Sequence, residues 1–323
     1  MSKKIKISID LEGPLGMYPY INNAKSLEKY FHLDEFIKYL INFHKNNKKS
    51  LTIGILGLTA LNDVEDLINI VSSINIDYPK NSLIKKIKKD SSFFKLIVEN
   101  KKIFFKGNIL ENLEIRENEY LNIACHSLSH VHIFEGDYNS KILNFEIKSS
   151  LNILEKFTKD SEKINLFIAP RNQINNSLIE ILNKYKIKKI RNSSLIRLYS
   201  ENHDASFLLK YYFKFLRKYD RYNLPLSRKI NKSPRKKKFT VNDIELIDSG
   251  YFLDFPKNSF IYKRYLKSFK NYIYERLKHE EDINIWFHPH NMLNNINLSK
   301  DYYADCHKVL SSLNKYDYKF HNL

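Results

Sequence analysis

Short apolar runs alternate with longer segments of helical period along almost the whole chain. Seven of the short runs are nearly continuous in apolar residues, which is typical of strands buried on both faces. The predicted strands span residues 4–9, 51–56, 121–124, 164–169, 187–190, 244–247 and 283–287. The predicted helices between them include residues 34–44, 62–74, 144–157 and 177–185.

Strands that alternate with helices pack as a parallel sheet with helices outside it. Seven such strands in a chain of 323 residues predict an α/β fold, a closed or nearly closed (β/α)7 barrel. No internal repeat and no linker rich in Gly, Ser or Pro divides the chain, so we expect residues 1–323 to form one domain. With 43% hydrophobic residues, the chain can bury a full core.

Polar residues stand shortly after five of the predicted strands. In a parallel barrel the carboxyl ends of all strands meet at one rim, where the chemistry of such proteins is found. We therefore expect these side chains to converge. They are Asp10 and Glu12, His126 and His130, Arg171, Asp248, and His288 with His290.

Two of these groups have the chemistry of a metal site. His126 and His130 are four residues apart, so they can bind one ion from one face of a turn. Asp10 and Glu12 leave the same apolar strand, and a shared function would offset the cost of burying both carboxylates. One carboxylate can complete the site while the other serves as a base. The alternatives are surface or core histidines, and a carboxylate pair that caps a helix or pairs with lysines.

Four sequence blocks carry a family resemblance. SIDLEG, HSLSH, FIAPRNQ and IWFHPHN resemble, in order and spacing, the motifs of the polysaccharide deacetylase family. This group is also called the NodB homology domain or carbohydrate esterase family 4. The resemblance covers nearly the whole chain, and it implies a distorted barrel, a Zn-type divalent ion and hydrolysis of an N-acetyl group on a sugar.

The resemblance also implies roles for the matching residues. Asp10 corresponds to the general base that takes a proton from water. Glu12, His126 and His130 correspond to the metal ligands, although the family usually has aspartate where this chain has Glu12. His288 corresponds to the general acid that protonates the departing amine.

Two further residues are assigned supporting roles. The resemblance implies that Arg171 orients Asp10 or holds it electrostatically. Asp248 is predicted to be a partner of Arg171 or of His288, where it would favour the charged form of the histidine. The late block has Trp286 where leucine is common in the family.

The net charge of +18 is unevenly distributed. Residues 207–240 contain twelve Lys or Arg and one acidic residue, which accounts for eleven of the net positive charges. We predict a basic aromatic insert at residues 200–243. Its helical pattern has one basic stripe, formed by Lys210, Lys214, Arg217, Lys218 and Arg221. This pattern predicts peripheral contact with an anionic membrane. The alternative is a core helix with a solvated lysine face, followed by a disordered basic loop.

The same features bear on location and partners. The chain has two cysteines, no run of roughly 18 apolar residues, and a first segment without the features of a secretory signal. We therefore expect a cytoplasmic protein, peripheral at the inner face of the membrane if the insert docks there. Nucleic acid is a disfavoured partner because no recognised nucleic-acid module accompanies the charge.

The predicted function is metal-dependent removal of an N-acetyl group from an amino sugar of a glycan, either soluble or lipid-linked at the inner membrane face. One alternative is a deformylase or another amide C–N hydrolase that uses the same site. The other is a catalytically inactive barrel that binds an anionic partner.

Overall fold

The computed structural model describes residues 2–133, 136–158, 164–192, 239–241, 243–293 and 295–323. Most of the predicted basic insert at residues 200–243 lies outside the described residues. Its helix and its membrane contact therefore stay predictions.

Ten strands of the described chain form one sheet. They are β1 (Lys3–Leu11), β2 (Leu51–Ile55), β3 (Leu121–Cys125), β4 (Leu166–Ile168), β5 (Lys189–Asn192), β6 (Phe239–Val241), β7 (Ile244–Asp248), β8 (Tyr251–Phe252), β9 (Ile283–Phe287) and β10 (Tyr318–Phe320). Their order is β6-β7-β5-β4-β3-β2-β1-β9-β8, and β10 also pairs with β1. Every pair is parallel except β6 with β7. All seven predicted strands are confirmed, and β6, β8 and β10 are additional.

The sheet curls into a barrel because only two residues separate strands near its opposite ends. β7 pairs with β5, β8 pairs with β9, and the chain passes from one to the other through Ser249 and Gly250. Across this seam, Asn284 Nδ2 donates a hydrogen bond of 2.8 Å to the Asp248 carbonyl. A Cβ on Gly250, whose φ is +72°, would lie 2.1 Å from the Asn284 carbonyl oxygen. The seam thus requires glycine, and the distorted barrel predicted from the sequence is confirmed.

Eleven α-helices lie among the described residues. They are α1 (Gly13–Gly16), α2 (Leu33–Asn47), α3 (Val64–Ser73), α4 (Leu83–Lys89), α5 (Ser91–Glu99), α6 (Lys101–Phe104), α7 (Gly107–Asn112), α8 (Ser140–Leu154), α9 (Asn176–Lys184), α10 (Ser259–Lys278) and α11 (Ile296–Ser311). In the described part of the chain, no helix has the length and apolar character needed to cross a membrane.

The longer helices show why the sequence forms them where it does. Each of α8 to α11 follows an asparagine whose side chain accepts a hydrogen bond from the backbone N–H three residues later, which caps the first turn. These asparagines are Asn139, Asn175, Asn258 and Asn295. Helix α2 buries residues three and four positions apart, and the apolar residues of this stripe belong to the hydrophobic core. The buried stripe is Leu33, Phe36, Ile37, Leu40, Ile41 and His44.

The carboxyl half of β1 is buried on both faces, as expected of a strand within a parallel sheet. Side chains alternate between the two faces of a strand, so Ser8 and Asp10 share one face. That face is the barrel interior, because Arg191 on β5 reaches both side chains although β4, β3 and β2 lie between β5 and β1. The fold therefore directs the polar residues of β1 into a buried interior.

Candidate metal centre

Glu12, His126 and His130 converge at the carboxyl ends of β1 and β3. Each offers one ligand atom, and the three atoms lie within 4.8 Å of one another. Glu12 Oε2 is 3.4 Å from His126 Nε2 and 2.7 Å from His130 Nε2. Tetrahedral bonds of about 2.1 Å would place two ligand atoms roughly 3.4 Å apart. The spacing of the cluster is therefore close to that of a mononuclear site.

Two atoms of this cluster lack a hydrogen-bond partner. Glu12 Oε2 and His126 Nε2 are buried, and no group in the described part of the chain makes a hydrogen bond with either. The short approach of His130 to Glu12 is thus a close contact rather than a well-formed hydrogen bond. Buried polar atoms are normally satisfied, and a cation would satisfy both atoms at once. The nitrogen and carboxylate donors present fit a divalent ion of the Zn type.

His126 is held by the neighbouring strands. Its backbone N–H donates to the Ile55 carbonyl at 3.1 Å, and its Nδ1 lies 2.8 Å from the Ile168 carbonyl oxygen. Because a carbonyl oxygen can only accept, Nδ1 carries the hydrogen. The lone pair of the neutral ring is then on Nε2, the atom nearest Glu12, and this is the tautomer that a metal ligand needs.

His130 lies in a tight turn with a positive φ of 58°. Its Nδ1 is 2.9 Å from Nε2 of His132, whose ring stacks on Tyr18 with centroids 5.9 Å apart. Burial lowers the pKa of His130 to about 4, although the nearby Glu12 carboxylate opposes the shift. His130 is therefore neutral at neutral pH, which is the form that binds a metal ion.

Glu12 is almost fully buried and folds back over helix α1. Burial on its own would raise the pKa of Glu12, but the surrounding His130 and His288 hold it well below its usual range. A Cβ added at Gly16 would lie 2.5 Å from Glu12 Cδ and 2.6 Å from Oε2. The glycine in SIDLEGPLG thus leaves the space that this side chain occupies.

Asp10 is a second buried carboxylate, and it lies outside the three-ligand cluster. Arg191 Nη2 donates to Asp10 Oδ2 at 2.6 Å, and Arg191 Nη1 donates to Ser8 Oγ at 2.9 Å. Burial raises the pKa of Asp10, but the charge and hydrogen bond of Arg191, together with the nearby His126 and His288, outweigh it and the pKa stays below its usual range. Asp10 Oδ1 has no hydrogen-bond partner in the described chain. The geometry gives an ionised carboxylate with one oxygen free to accept a proton.

His288 follows β9 and faces both carboxylates. Its Nε2 lies 3.8 Å from Asp10 Oδ2 and 3.5 Å from Glu12 Oε1. The side chain of His288 is 22% exposed, whereas those of the two carboxylates are 4% and 2% exposed. His290 is buried beside it with ring centroids 5.1 Å apart, and burial lowers the pKa of His290 to about 3. His288 is therefore the histidine that combines contact with the site and access to solvent.

The structure places Arg191 against Asp10, where Arg171 was predicted, and places Arg276 near Asp248. The guanidinium against Asp10 belongs to Arg191, because Arg191 lies on the strand and reaches into the barrel. Arg171 lies beyond β4 in the turn Pro170–Asn172 with a φ of 50° and is half-buried. Asp248 Oδ2 is 3.6 Å from Arg276 Nη2 on α10, and Asp248 Oδ1 accepts from the Gly250 N–H.

Sequence reasoning missed Arg191, although a signal was present. The predicted fifth strand ends at residue 190, so Arg191 is the first residue after it. The rule that selected Arg171, a polar residue following a strand, applies equally to Arg191. Its position inside a barrel strand, 1% exposed, makes it a stronger candidate for a buried partner.

Comparisons with known proteins give structural relatives only. No protein-family model matches the chain, and no curated protein sequence matches it. One similar crystal structure is of a Mycobacterium smegmatis protein described as a polysaccharide deacetylase. The TM-score is 0.58 at 8% identity, over 100% of this chain and 88% of that one. Another is a GH57-type branching enzyme from the archaeon Pyrococcus horikoshii, with a TM-score of 0.52 at 11% identity, over 100% and 69% of the two chains.

At these identities the likeness establishes the fold alone. The chemistry has to be inferred from the residues of the site. Two proteins named for different activities share this barrel, so the fold does not choose between them. The chain has the curled barrel of the polysaccharide deacetylases, as its sequence motifs predicted.

Proposed function

We propose that this protein is a metal-dependent hydrolase that removes the N-acetyl group from an amino sugar of a glycan. The observation that carries the proposal is the pairing of a three-ligand cluster with a separate buried carboxylate. The cluster consists of Glu12, His126 and His130. The separate carboxylate is that of Asp10, which Arg191 holds. A site that only binds a structural metal does not need the second group.

Glu12, His126 and His130 would hold the ion. Three protein ligands with nitrogen and carboxylate donors are typical of catalytic zinc, which keeps a coordination position open. When bound, a divalent ion supplies Lewis acidity, which polarises an amide carbonyl and eases the ionisation of a water. An amide is a poor electrophile, so this chemistry matches the substrate class.

Asp10 is the proposed general base. Its free Oδ1 can take a proton from the attacking water, and Arg191 keeps the carboxylate ionised and fixed through Oδ2. Because Arg191 also binds Ser8 Oγ, it is held at two points and cannot turn freely about the carboxylate.

His288 is the proposed general acid. Its ring lies within 4 Å of both carboxylates and is partly open to solvent, so a departing nitrogen can approach it. Donation of a proton to that nitrogen completes the cleavage of the C–N bond. The proposed base, Asp10, then lies on β1, and the proposed acid, His288, directly follows β9.

The decisive experiment separates the base from the ligands. We expect Asp10→Asn to lower acetate release from N-acetylated sugars by about 10²- to 10⁴-fold with Zn²⁺ still bound. His126→Ala should lose metal and activity together. Asp63→Asn is a matched control, because the Asp63 side chain caps α3 and asparagine also caps. Equal metal loss in Asp10→Asn and His126→Ala would refute the assignment of base and ligand.

We further propose that the glycan is presented at an anionic membrane, with the basic segment as the contact. The support is the charge of residues 207–240 and the position of the described residues beside them. Asn192 ends β5 directly after Arg191, and Phe239 pairs with Leu246 near the end of β7. The segment therefore joins the barrel at the same rim as the site.

Co-sedimentation with anionic and neutral vesicles tests this contact. Replacement of Arg235, Lys236, Lys237 and Lys238 by glutamine should weaken binding to anionic vesicles, by on the order of 1 kcal/mol per charge engaged. The matched control removes the same charge from exposed lysines elsewhere, Lys257, Lys263, Lys267 and Lys270. Equal loss in both quadruple variants, or no preference for anionic lipid, would leave a soluble glycan as the substrate.

A further inference from the structure

One of the three proposed ligands lies in a strained turn. The turn connects His126 to His130, and two of its residues have positive φ, Ser127 at 61° and His130 at 58°. Residues other than glycine adopt this conformation at a cost of roughly 1 kcal/mol or more each. Such a turn persists only if its surroundings fix it.

The backbone of the turn is held from two sides. On one side, the Gly57 N–H donates to the Ser127 carbonyl at 2.9 Å, and the Leu58 N–H donates to the Leu128 carbonyl at 3.0 Å. On the other side, the N–H groups of Leu128 and Ser129 both donate to a single atom, Oε2 of Glu146, at 2.9 Å each.

Glu146 comes from α8 and is fully buried. Its second oxygen, Oε1, accepts from Ser129 Oγ at 2.5 Å and from the Tyr78 hydroxyl at 3.0 Å. Among the described residues no cation pairs with this carboxyl group, so its hydrogen bonds offset the cost of its burial. Three of the four donors belong to the turn between the two histidines.

We infer that Glu146 is a positioning residue for the metal ligand His130. By fixing the N–H groups of Leu128 and Ser129, it sets the direction in which the chain enters His130. His126 does not depend on it, because β2 and β4 hold that residue. The inference rests on the proposed function in one respect, that the three-ligand cluster binds a metal ion.

The test is the affinity for Zn²⁺, measured by competition with a chromophoric chelator, together with the unfolding temperature of the metal-free protein. Glu146→Ala should raise the Kd for Zn²⁺ by about 10- to 100-fold, as loss of a supporting partner typically does. Glu146→Gln should bind within a few-fold of the wild type. Its amide oxygen can still accept from both N–H groups, and the two hydroxyls can accept from its NH₂.

A matched pair decides the inference even if Glu146→Ala does not fold. Ser129→Ala and Tyr78→Phe each remove one hydroxyl that donates to the same Oε1, but only Ser129 belongs to the turn. We expect Ser129→Ala to raise the Kd for Zn²⁺ about three- to tenfold and Tyr78→Phe to leave it unchanged. Both should lower the unfolding temperature.

Equal Kd values in Ser129→Ala, Tyr78→Phe and the wild type, with lowered unfolding temperatures, would show a purely structural role and overturn the inference. Wild-type protein that binds no Zn²⁺ would instead overturn the proposed function and the inference with it. The two failures are distinguishable because the first appears only in the variants.

Discussion

His126 and His130 contribute to one cluster but are held in opposite ways. His126 stands at the end of a strand, and backbone groups of the neighbouring strands fix both its main chain and its ring. His130 stands in a strained turn, and side chains hold it, through its ring at His132 and through its backbone at Glu146. The sheet thus positions the first proposed ligand, whereas the second depends on supporting side chains.

This difference predicts where substitutions will matter. No single substitution removes the carbonyl that holds His126, so that ligand is robust to mutation of its surroundings. Two supports of His130, the ring of His132 and the carboxylate of Glu146, are side chains that one codon change can remove. Substitutions around His130 should therefore change the affinity for the metal ion, whereas substitutions around His126 should have little effect on it.

The largest expected effect comes from the carboxylate that both histidines share. In Gly16→Ala the new methyl would overlap Glu12 Cδ and Oε2, so the carboxylate must leave its position. We expect the Kd for Zn²⁺ to rise at least about 100-fold, since one of three ligands is displaced. Glu12→Asp in the Gly16→Ala background should not recover the affinity, because the added methyl would also lie 2.6 Å from Glu12 Cβ, which aspartate retains. An unchanged Kd in Gly16→Ala would mean that Glu12 does not bind the ion.

The second largest effect concerns the stability of the fold and comes from His44, a buried histidine outside the three-ligand cluster. Burial lowers the pKa of His44 to about 4, with the Lys49 carbonyl partly opposing the shift. The unfolded chain binds this proton below a pKa of about 6.5, but the folded chain does not until about pH 4. The contribution of His44 to the free energy of unfolding is therefore fully present above pH 6.5. It is lost as the pH falls toward 4, and the loss is on the order of 3 kcal/mol.

Denaturant unfolding of the metal-free protein between pH 7 and 4 measures this loss. His44→Phe should reduce the slope of the free energy of unfolding against pH, whereas His279→Phe should not, since His279 is exposed. Unfolding in saturating Zn²⁺ separates His130 from His44, because only His130 would be protected from protonation. A slope that is the same in His44→Phe and His279→Phe would contradict the assignment.

A smaller effect is expected from the ring support of His130. His132→Phe keeps an aromatic ring against Tyr18 but removes the nitrogen 2.9 Å from His130 Nδ1. We expect the Kd for Zn²⁺ to rise about tenfold. Tyr18→Phe is the control, since it keeps the stack and removes only the hydroxyl that donates to the Asn81 carbonyl. Equal affinities in the two variants would show that the stack alone holds His130.

The smallest effect should come from a single bond at the start of the turn. Ser150 Oγ donates to the Ser127 carbonyl at 3.1 Å, so Ser150→Ala should raise the Kd for Zn²⁺ about two- to fivefold. Ser299→Ala is the control. It removes a comparable buried hydrogen bond, to the Met292 carbonyl at 2.9 Å, that lies outside the turn between His126 and His130. A change in Kd that is the same in both variants would point to general loosening of the fold.

The sequence predicted the rim of the barrel because the signals there are local. An apolar run marks a strand, the next polar residue marks its exit, and parallel strands exit on the same side. Asp10, Glu12, His126 and His288 follow from this reasoning and from the motifs. The bounds of the strands were also accurate to a few residues, as at 51–56, where the observed strand is Leu51–Ile55.

The partners of these residues could not be predicted in the same way, because they depend on contacts between distant parts of the chain. Arg191 is 181 residues from Asp10, and Glu146 is 17 residues from Ser129 across a helix boundary. The left-handed turn at Arg171 takes that side chain off the strand, and no local pattern in FIAPRNQ indicates it. Sequence analysis therefore found residues that meet at the proposed site and missed the residues that hold them.

The central place of β1 has a consequence for folding. It pairs with β2 on one side and β9 on the other, and Ser8 Oγ donates to the carbonyl of Ile285, 277 residues away. Until β9 is synthesised, one edge of β1 has unpaired backbone groups that favour aggregation. Contacts this distant in sequence also slow folding. His288 directly follows the strand that covers this edge, so a nascent chain brings the proposed general acid to Asp10 only as the barrel closes. A chain that stalls earlier has an exposed β1 edge for chaperones to protect.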